Sequence, residues 1–355
     1  MSLAASTASR VAAAYTYNTT SSNGEDTIII IHNDSPPPPP LSTVVDTWAP
    51  LYFFLGLCAA YAIVMLMVIG SFYWKRGGRG GGEAQPLQKQ VAGAFQRPSP
   101  GIDSSRAWEG ASPEMVQQYM QIDGWVRAAF IRKVYAILST QLLMTVGICV
   151  GLIYASFVHG DPHYPSSFGY WLAGPGYYVS FIAILLSMCT LCGVFSCKNS
   201  YPMNMFGLAL FTSGISFSIS TICVIYYGSG FGPQLLLAFI ISTATFLALT
   251  VFTIFSKIDF EFLGPILCLG IVVLLIWSMI LSIFYMFSGF HTGPQLVFVI
   301  FGVVLFVGFI IYDTYMIVNR LSVDDYVVAA IELYLDFINF FLYILQLLTL
   351  TSSNR

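Results

Sequence analysis

The chain contains long apolar runs that no charged residue interrupts. Residues 199 to 256 and 262 to 312 include no Asp, Glu, Lys or Arg. Each run is long enough for two membrane spans of about 20 residues. The apolar positions are continuous and do not alternate with polar ones, which favours helices over the strands of a β-barrel. The pattern therefore predicts helices that cross a lipid bilayer.

Glycines, prolines and clustered charges divide the second part of the chain into seven predicted spans. They cover 134–157, 177–195, 205–227, 233–255, 263–287, 294–318 and 327–348. An eighth apolar segment, 49–73, precedes them. The predicted fold is an all-α polytopic membrane protein, in which a seven-helix transmembrane core over residues 125–350 is joined to one extra N-terminal transmembrane helix.

Basic residues predict how the spans are oriented. Lys75, Arg76 and Arg79 follow the early span, and Lys and Arg concentrate on the cytoplasmic side of membrane proteins. If each span reverses the side, the basic residues of the core loops all fall on that same side: Arg127, Arg132, Lys133, Lys198, Lys257 and Arg320. Both termini are then expected outside the cytoplasm. A re-entrant last segment would instead return the C-terminus to the cytoplasm.

The N-terminal segment 1–48 is rich in Ser and Thr and contains a run of prolines at 36–40. We expect it to be disordered and to lie on the lumenal or extracellular side. It carries two potential N-glycosylation triplets, which begin at Asn18 and Asn33. An alternative interpretation of residues 1–24 as a transit peptide fits their Ser-rich, acid-poor composition but not their single basic residue.

Charged residues are scarce and unevenly distributed. They make up 9% of the chain against 57% hydrophobic residues, whereas soluble proteins carry about 25% charged residues. This composition excludes a soluble enzyme, and the lipid bilayer is the first expected partner. The net charge of −3 gives no reason to expect a nucleic-acid partner. The remaining polar segments are a predicted flexible cytoplasmic linker, 74–124, and a short tail, 351–355.

Three ionisable residues remain inside the predicted core spans: Asp313, Glu332 and Asp336. A charged group at membrane depth costs about 2.5 to 3.5 kcal/mol on insertion scales, so such residues are functional candidates. The alternative is that they make packing contacts only. Asp313 lies seven residues before Arg320, and Asp336 lies eleven after Asp325. These spacings place them about 10 and 16 Å from one short loop, at similar depths on adjacent antiparallel helices.

The last span carries a polar stripe, because Glu332, Asp336 and Asn339 share one helix face. None of the predicted core spans contains Lys, Arg or His, so no intramembrane cation balances these carboxylates. We expect Asp313 and Asp336 to share a proton and to sense pH. Their ionised form would offer hard oxygen ligands, for which Ca²⁺ is the natural ion.

Several segments resemble a known family. Residues 308–314, GFIIYDT, and 321–341, LSVDDYVVAAIELYLDFINFF, are similar to the C-terminal signature of the transmembrane BAX inhibitor motif family, in its Lifeguard branch. AFIRKVY at 129–135, QLL at 141–143, PMN at 202–204 and FT at 211–212 resemble other parts of that branch. The resemblance implies a seven-helix bundle of BAX-inhibitor type with its last helix near the centre. It also implies a two-aspartate site at Asp313 and Asp336.

The function implied by this resemblance is a pH-sensitive calcium leak in intracellular membranes, linked to calcium homeostasis and to inhibition of apoptosis. Endoplasmic reticulum or Golgi is the expected location, with the plasma membrane or another organelle as the alternative. No enzymatic activity and no cofactor is expected, and calcium is the transported or bound ion. Two departures from the family pattern are Ile215, where many relatives carry Glu, and Glu332, a candidate accessory carboxylate. Asn339 is a candidate polar support for the pair.

Two other functions compete with the calcium leak. A non-conducting membrane adaptor that regulates channels or cell-death proteins would use the aspartates only to fix helix packing. An intramembrane aspartyl protease also places two aspartates on adjacent spans. However, Asp336 follows Leu-Tyr-Leu and lacks the Gly-x-Gly-Asp motif of such enzymes. Cleavage of a membrane substrate would distinguish a protease from an ion leak.

Two further motifs are given structural interpretations. Cys189, Cys192 and Cys197 resemble a redox or metal motif, but we expect them to be small buried thiols. His159, Asp161 and His163 offer three metal ligands, but their Gly/Pro context is typical of a solvated loop.

Overall fold

The computed structural model describes residues 113–162, 164–196, 202–256, 258–288, 292–321, 323 and 325–353. The predicted tail 1–48, the extra helix 49–73 and most of the predicted linker lie outside these residues. The described residues are almost entirely helical and contain no β-strand, only an isolated bridge between Phe157 and Pro165. The all-α prediction is confirmed for this part of the chain.

Eight α-helices follow one another in the described residues. They are α1 (Pro113–Ser156), α2 (Ser167–Ala173), α3 (Pro175–Ser196), α4 (Met203–Gly228), α5 (Gly232–Phe255), α6 (Leu263–Ser288), α7 (Thr292–Asn319) and α8 (Tyr326–Ser353). All except α2 are long and apolar enough to cross a membrane. The predicted seven-helix membrane core is therefore confirmed, and most boundaries agree with the sequence pattern within a few residues.

The helices extend further at both ends of the core than the sequence pattern predicted. Residues 113–124, which we assigned to a flexible linker, belong to α1. Pro113 suits a first helical position, where its missing N–H is not needed. Likewise, 351–353 of the predicted tail belong to α8. Apolar runs mark the membrane-embedded length, whereas backbone hydrogen bonds continue the helix beyond it.

The last helix lies at the centre of the bundle, as the resemblance implied. In α8, 78% of the membrane-spanning window is buried inside the protein, against 17% to 61% in the other six spans. It packs against α7, α5 and α1. The outer helices expose large apolar side chains, among them Leu143, Leu186, Leu247 and Leu269. Such a surface suits contact with lipid, so the polar residues of α8 face protein.

Two features fix the helix directions around α8. Gln141 bonds to Thr212 and Thr145 to Ser216, so the same step of four residues along α1 and α4 shows that these helices run parallel. At the other end of the bundle, Gln234 at the start of α5 donates to Ser352 at the end of α8. Since α8 is continuous over its whole length, it crosses the bundle once. This geometry favours a spanning last helix over the re-entrant alternative, and the side of the membrane on which the C-terminus lies stays a prediction.

Candidate functional site

Asp313 of α7 and Asp336 of α8 meet inside the bundle. Their carboxyl groups lie close enough to interact. Asp336 is buried, with 6% of its surface exposed, and Asp313 is half-buried. Two ionised carboxylates at such close range would repel each other, so a proton shared between them would stabilise the contact. The helical rise along the two spans thus predicted correctly that these side chains lie at a similar depth.

A close approach of α7 and α8 brings the pair together. A Cβ atom placed on Gly302 of α7 would lie 2.6 Å from Cδ1 of Tyr343 on α8, which is too close for any side chain. The Tyr343 ring is itself held between Phe306, at a centroid distance of 5.6 Å, and Phe298, at 6.0 Å. Glycine at 302 therefore lets the two helix backbones approach each other.

The turn between α7 and α8 is held by a residue from α1. The Arg127 guanidinium donates from Nη1 to the carbonyl oxygens of Leu321, at 2.7 Å, and Ile317, at 3.3 Å. The last carbonyls of a helix lack partners within it, and a cation is favourable at that negative end. Arg127 thus anchors the C-terminal end of α7, six residues after Asp313.

Glu332 and Asn339 occupy different positions from the pair. Glu332 is half-buried and its charge acts on Asp336, one helical turn away. Asn339 donates from Nδ2 to the carbonyl oxygen of Leu335 at 2.8 Å, within its own helix. Among the described residues, no group of three or more His, Cys, Asp or Glu side chains is arranged to hold a metal. The acidic centre is therefore a pair, with Glu332 as an electrostatic neighbour.

One oxygen of the pair is left without a partner. Oδ2 of Asp336 is buried and makes no hydrogen bond to the protein. Burying a polar oxygen without a partner costs roughly 1 to 3 kcal/mol. Such an orphaned carboxylate oxygen is chemically suited to binding a water molecule or a cation.

The structure also contains a cluster of hydroxyl groups that was not predicted from the sequence. Oγ1 of Thr145 lies 2.9 Å from Oη of Tyr334 and 2.8 Å from Oγ of Ser216, and Nε2 of Gln141 donates to Oγ1 of Thr212 at 2.9 Å. These bonds join α1, α4 and α8. The signal that could have found them is the spacing of four residues between polar positions on both α1 and α4.

A second cluster lies at the C-terminal end of α7. Nη2 of Arg320 lies 2.6 Å from Oε2 of Glu261 and 3.9 Å from Oδ2 of Asp259. The Tyr315 hydroxyl donates to Oδ1 of Asp259 at 2.6 Å. This hydrogen bond, with the backbone N–H of Glu261 and the charge of Arg320, lowers the pKa of Asp259. The cluster ties the loop between α5 and α6 to α7.

The other candidate motifs gain no support as binding sites. Cys189 and Cys192 are exposed on α3, so the expectation of buried thiols is wrong for both. Their helix face is turned to the lipid, where small apolar side chains are tolerated. Cys197 and His163 lie outside the described residues.

Known proteins share most of the described chain. Residues 127–354 match the family model described as Inhibitor of apoptosis-promoting Bax1. The chain is 35% identical over 236 residues to the Golgi anti-apoptotic protein of vaccinia virus (strain Lister), covering 64% of this chain and 88% of the relative. It is 36% identical over 231 residues to Protein lifeguard 4 of Mus musculus, covering 63% and 85%.

A third relative widens the group. Bax inhibitor 1 of Schizosaccharomyces pombe is 33% identical over 231 residues, covering 64% of this chain and 79% of the relative. The family model and these relatives cover the same seven-helix core that holds the carboxyl pair, and they confirm the resemblance stated from the sequence. The chain belongs to the Bax inhibitor family, which includes the Lifeguard proteins.

Proposed function

We propose that this protein is a pH-sensitive calcium leak of intracellular membranes, controlled by the proton that Asp313 and Asp336 share. The observation that carries the proposal is the close approach of these two carboxyls inside the bundle, where the central helix meets its neighbour. Buried ionisable groups in membrane helices are costly and commonly mark ion or proton pathways.

In this proposal the shared proton holds α7 and α8 together. With the proton in place, the two side chains attract each other and the helices stay together. When the proton is lost, two negative charges face each other in a medium of low polarity and repel strongly. The separated carboxylates then offer hard oxygen ligands to a calcium ion. Two carboxylates supply at most four oxygen ligands, whereas calcium takes six to eight. Water molecules would supply the remaining ligands.

The proposed cellular role is protection against apoptosis through calcium homeostasis. Support comes from relatives whose names describe inhibition of apoptosis, and from the Golgi named for the vaccinia virus protein. Endoplasmic reticulum or Golgi is the proposed location. We further propose that the protein is not an enzyme and needs no cofactor.

A non-conducting adaptor remains the second candidate. The names of the relatives refer to apoptosis and to Bax, and none of those given above names an ion. In that case the carboxyl pair would serve helix packing, and other channels or cell-death regulators would be the partners.

Calcium flux from liposomes that contain only this protein tests the proposal. The wild type should release trapped calcium, and the double variant Asp313→Asn with Asp336→Asn should lose that release. Asp161→Asn, in the loop after α1, is the matched control and should leak like the wild type. An unchanged leak in the double variant would overturn the proposal, and absence of any leak in the wild type would favour the adaptor.

A further inference from the structure

The buried face of α5 carries hydroxyl groups that have no partner. This face consists of Ala238, Ser242, Phe246, Thr250 and Thr253. Thr253 donates to its own helix, as most buried hydroxyls of this bundle do. In contrast, the hydroxyls of Ser242 and Thr250 make no hydrogen bond, although 0% and 7% of these residues are exposed. Since buried polar groups are nearly always hydrogen-bonded, these two oxygens require an explanation.

Thr250 belongs to a small polar site on the cytoplasmic side. The Tyr135 hydroxyl on α1 lies close to the hydroxyls of both Thr250 and Thr314, the latter on α7. All three oxygens are buried and none has a hydrogen-bond partner. Three polar groups that converge without bonding one another provide the two to four partners that a buried water needs. Thr314 follows Asp313, so this site lies beside the carboxyl pair.

Ser242 lies further towards the outer end of α5, where other oxygens are also unpartnered. The hydroxyl of its neighbour Thr243 is also buried without a partner, as is Oε1 of Gln234 at the start of the helix. Ser242 and Thr250 are each four residues from Phe246, or about 6 Å along the axis. Unpartnered oxygens therefore lie on both sides of Phe246, from one end of α5 to near the other.

Between the two polar groups, an aromatic pair fills the interface of α5 with α8. The rings of Phe246 and Phe337 meet edge to face, with centroids 5.5 Å apart. Both residues are buried, with 4% and 3% exposed. Phe337 directly follows Asp336, whose Oδ2 is also unpartnered. Apolar constrictions of this kind close ion pathways by excluding water.

We propose that calcium crosses the protein along the buried face of α5, against α8, and that the Phe246 and Phe337 rings form the constriction that closes this path. The proposal rests on the calcium leak proposed above. Water on the cytoplasmic side of the rings reaches the carboxyl pair through the site of Tyr135, Thr250 and Thr314. Loss of the shared proton displaces α8 from α7, and Phe337 moves with α8, so that the rings separate.

Labelling of single cysteines tests for the aqueous path without relying on calcium. The variants Thr250→Cys and Ser242→Cys are made in a background in which all seven native cysteines are replaced by alanine. A cationic, membrane-impermeant thiol reagent is then added to either side of sealed vesicles. Thr250→Cys should be labelled from the cytoplasmic side only, and Ser242→Cys from the opposite side only. Leu247→Cys, on the lipid-facing side of α5 with Leu247 57% exposed, should not be labelled.

Shortening Phe246 tests the constriction itself. In Phe246→Ala, Ser242→Cys should gain labelling from the cytoplasmic side, and calcium release should become faster. Phe211→Ala is the matched control, because Phe211 is fully buried and also packs edge to face on α8. The centroids of the Phe211 and Tyr334 rings are 6.3 Å apart. This control variant removes the same volume but should change neither labelling nor leak. Phe246→Leu is a milder shortening that keeps the site apolar, and it should fold even if the alanine variant does not. It should leak more than the wild type and less than a folded Phe246→Ala.

The outcomes separate the two proposals. If Thr250→Cys and Ser242→Cys both stay unlabelled while the wild type leaks calcium, the path along α5 is wrong and the calcium leak stands. If labelling follows the expected pattern and no variant releases calcium, the water-filled path stands and the calcium leak is wrong. Equal effects of Phe246→Ala and Phe211→Ala on labelling would overturn the constriction.

Discussion

In the proposed leak, a single proton between Asp313 and Asp336 would decide whether α7 and α8 attract or repel each other. The predicted spans around the pair contain no cationic side chain. Its charge state is therefore set by the pH of the water that reaches it and by neighbouring carboxylates, of which Glu332 is the nearest on the same helix. At this scale the predictions concern individual charges.

Replacing Glu332 by glutamine should shift the pH dependence of the calcium leak. The negative charge of Glu332 acts on Asp336 and makes loss of the shared proton more difficult. In Glu332→Gln the leak should therefore begin at a lower pH than in the wild type. Glu332→Asp keeps the charge and serves as the control. An unchanged pH profile in Glu332→Gln would show that Glu332 does not influence the pair.

Asp259 should make the stability of the protein sensitive to acid. The Tyr315 hydroxyl is the main cause of its lowered pKa. An acidic group with a lowered pKa in the folded state stabilises that state above its unfolded pKa, of about 3.9, and this contribution disappears as the pH falls through the lowered value. The melting temperature of the wild type should thus fall more than that of Asp259→Asn between neutral pH and about pH 3. Equal falls would contradict this role.

The two aspartates are predictable from the sequence because charge is so rare in the spans that each acidic residue stands out. Their similar depth is predictable because the rise per residue of a helix is constant. The supporting role of Asn339 stays a prediction, and its amide donates to the Leu335 carbonyl. The Thr145, Ser216 and Tyr334 cluster escaped notice, since hydroxyl residues are common in membrane helices and their partners depend on helix packing.

At the scale of the helices, the closeness of α7 and α8 depends on one glycine. In Gly302→Ala the added methyl group would collide with the Tyr343 ring, which Phe306 and Phe298 hold in place. Overpacking of this kind costs about 1 to 3 kcal/mol, so the melting temperature should fall. Gly147→Ala is the control, because a Cβ there meets nothing within 4 Å. It should be neutral or stabilising, since alanine favours helix. A Gly302→Ala variant as stable as Gly147→Ala would contradict the close packing.

The positions of the helices were largely predictable and their ends were not. Long apolar runs define a span, because only a helix can satisfy its backbone in lipid. Apolar runs do not indicate where a helix continues beyond the membrane. The extension of α1 back to Pro113 was therefore not predicted. The short helix α2 was also missed. It starts after Ser166, whose side chain accepts a hydrogen bond from the Gly169 N–H.

At the scale of the whole molecule, α8 brings together the polar chemistry of the bundle. Its neighbours α1, α5 and α7 each present polar side chains near it, and the outer helices expose large apolar side chains. Central placement of the most polar span removes its carboxylates from lipid. Because α8 packs against α1, α5 and α7, a displacement of α8 would also disturb the packing of these three helices.

The topology predicts that the C-terminus lies on the opposite side of the membrane from the turn at Arg320. The continuous α8 ends beside the start of α5, and the basic loops mark the cytoplasmic side. A tag after Arg355 should therefore be protected from protease added to the cytoplasmic side of sealed membranes. A protease site inserted in the α7–α8 turn should be cut. Digestion of the tag under those conditions would contradict the predicted orientation.

The most direct test of the shared-proton account is the calcium leak measured over a series of pH values, with wild type and Asp336→Asn in parallel liposomes. The wild-type leak should increase as rising pH removes the shared proton. In Asp336→Asn no proton is shared between carboxyls, so the leak should not respond to pH. A variant leak that follows the same pH curve as the wild type would contradict the account.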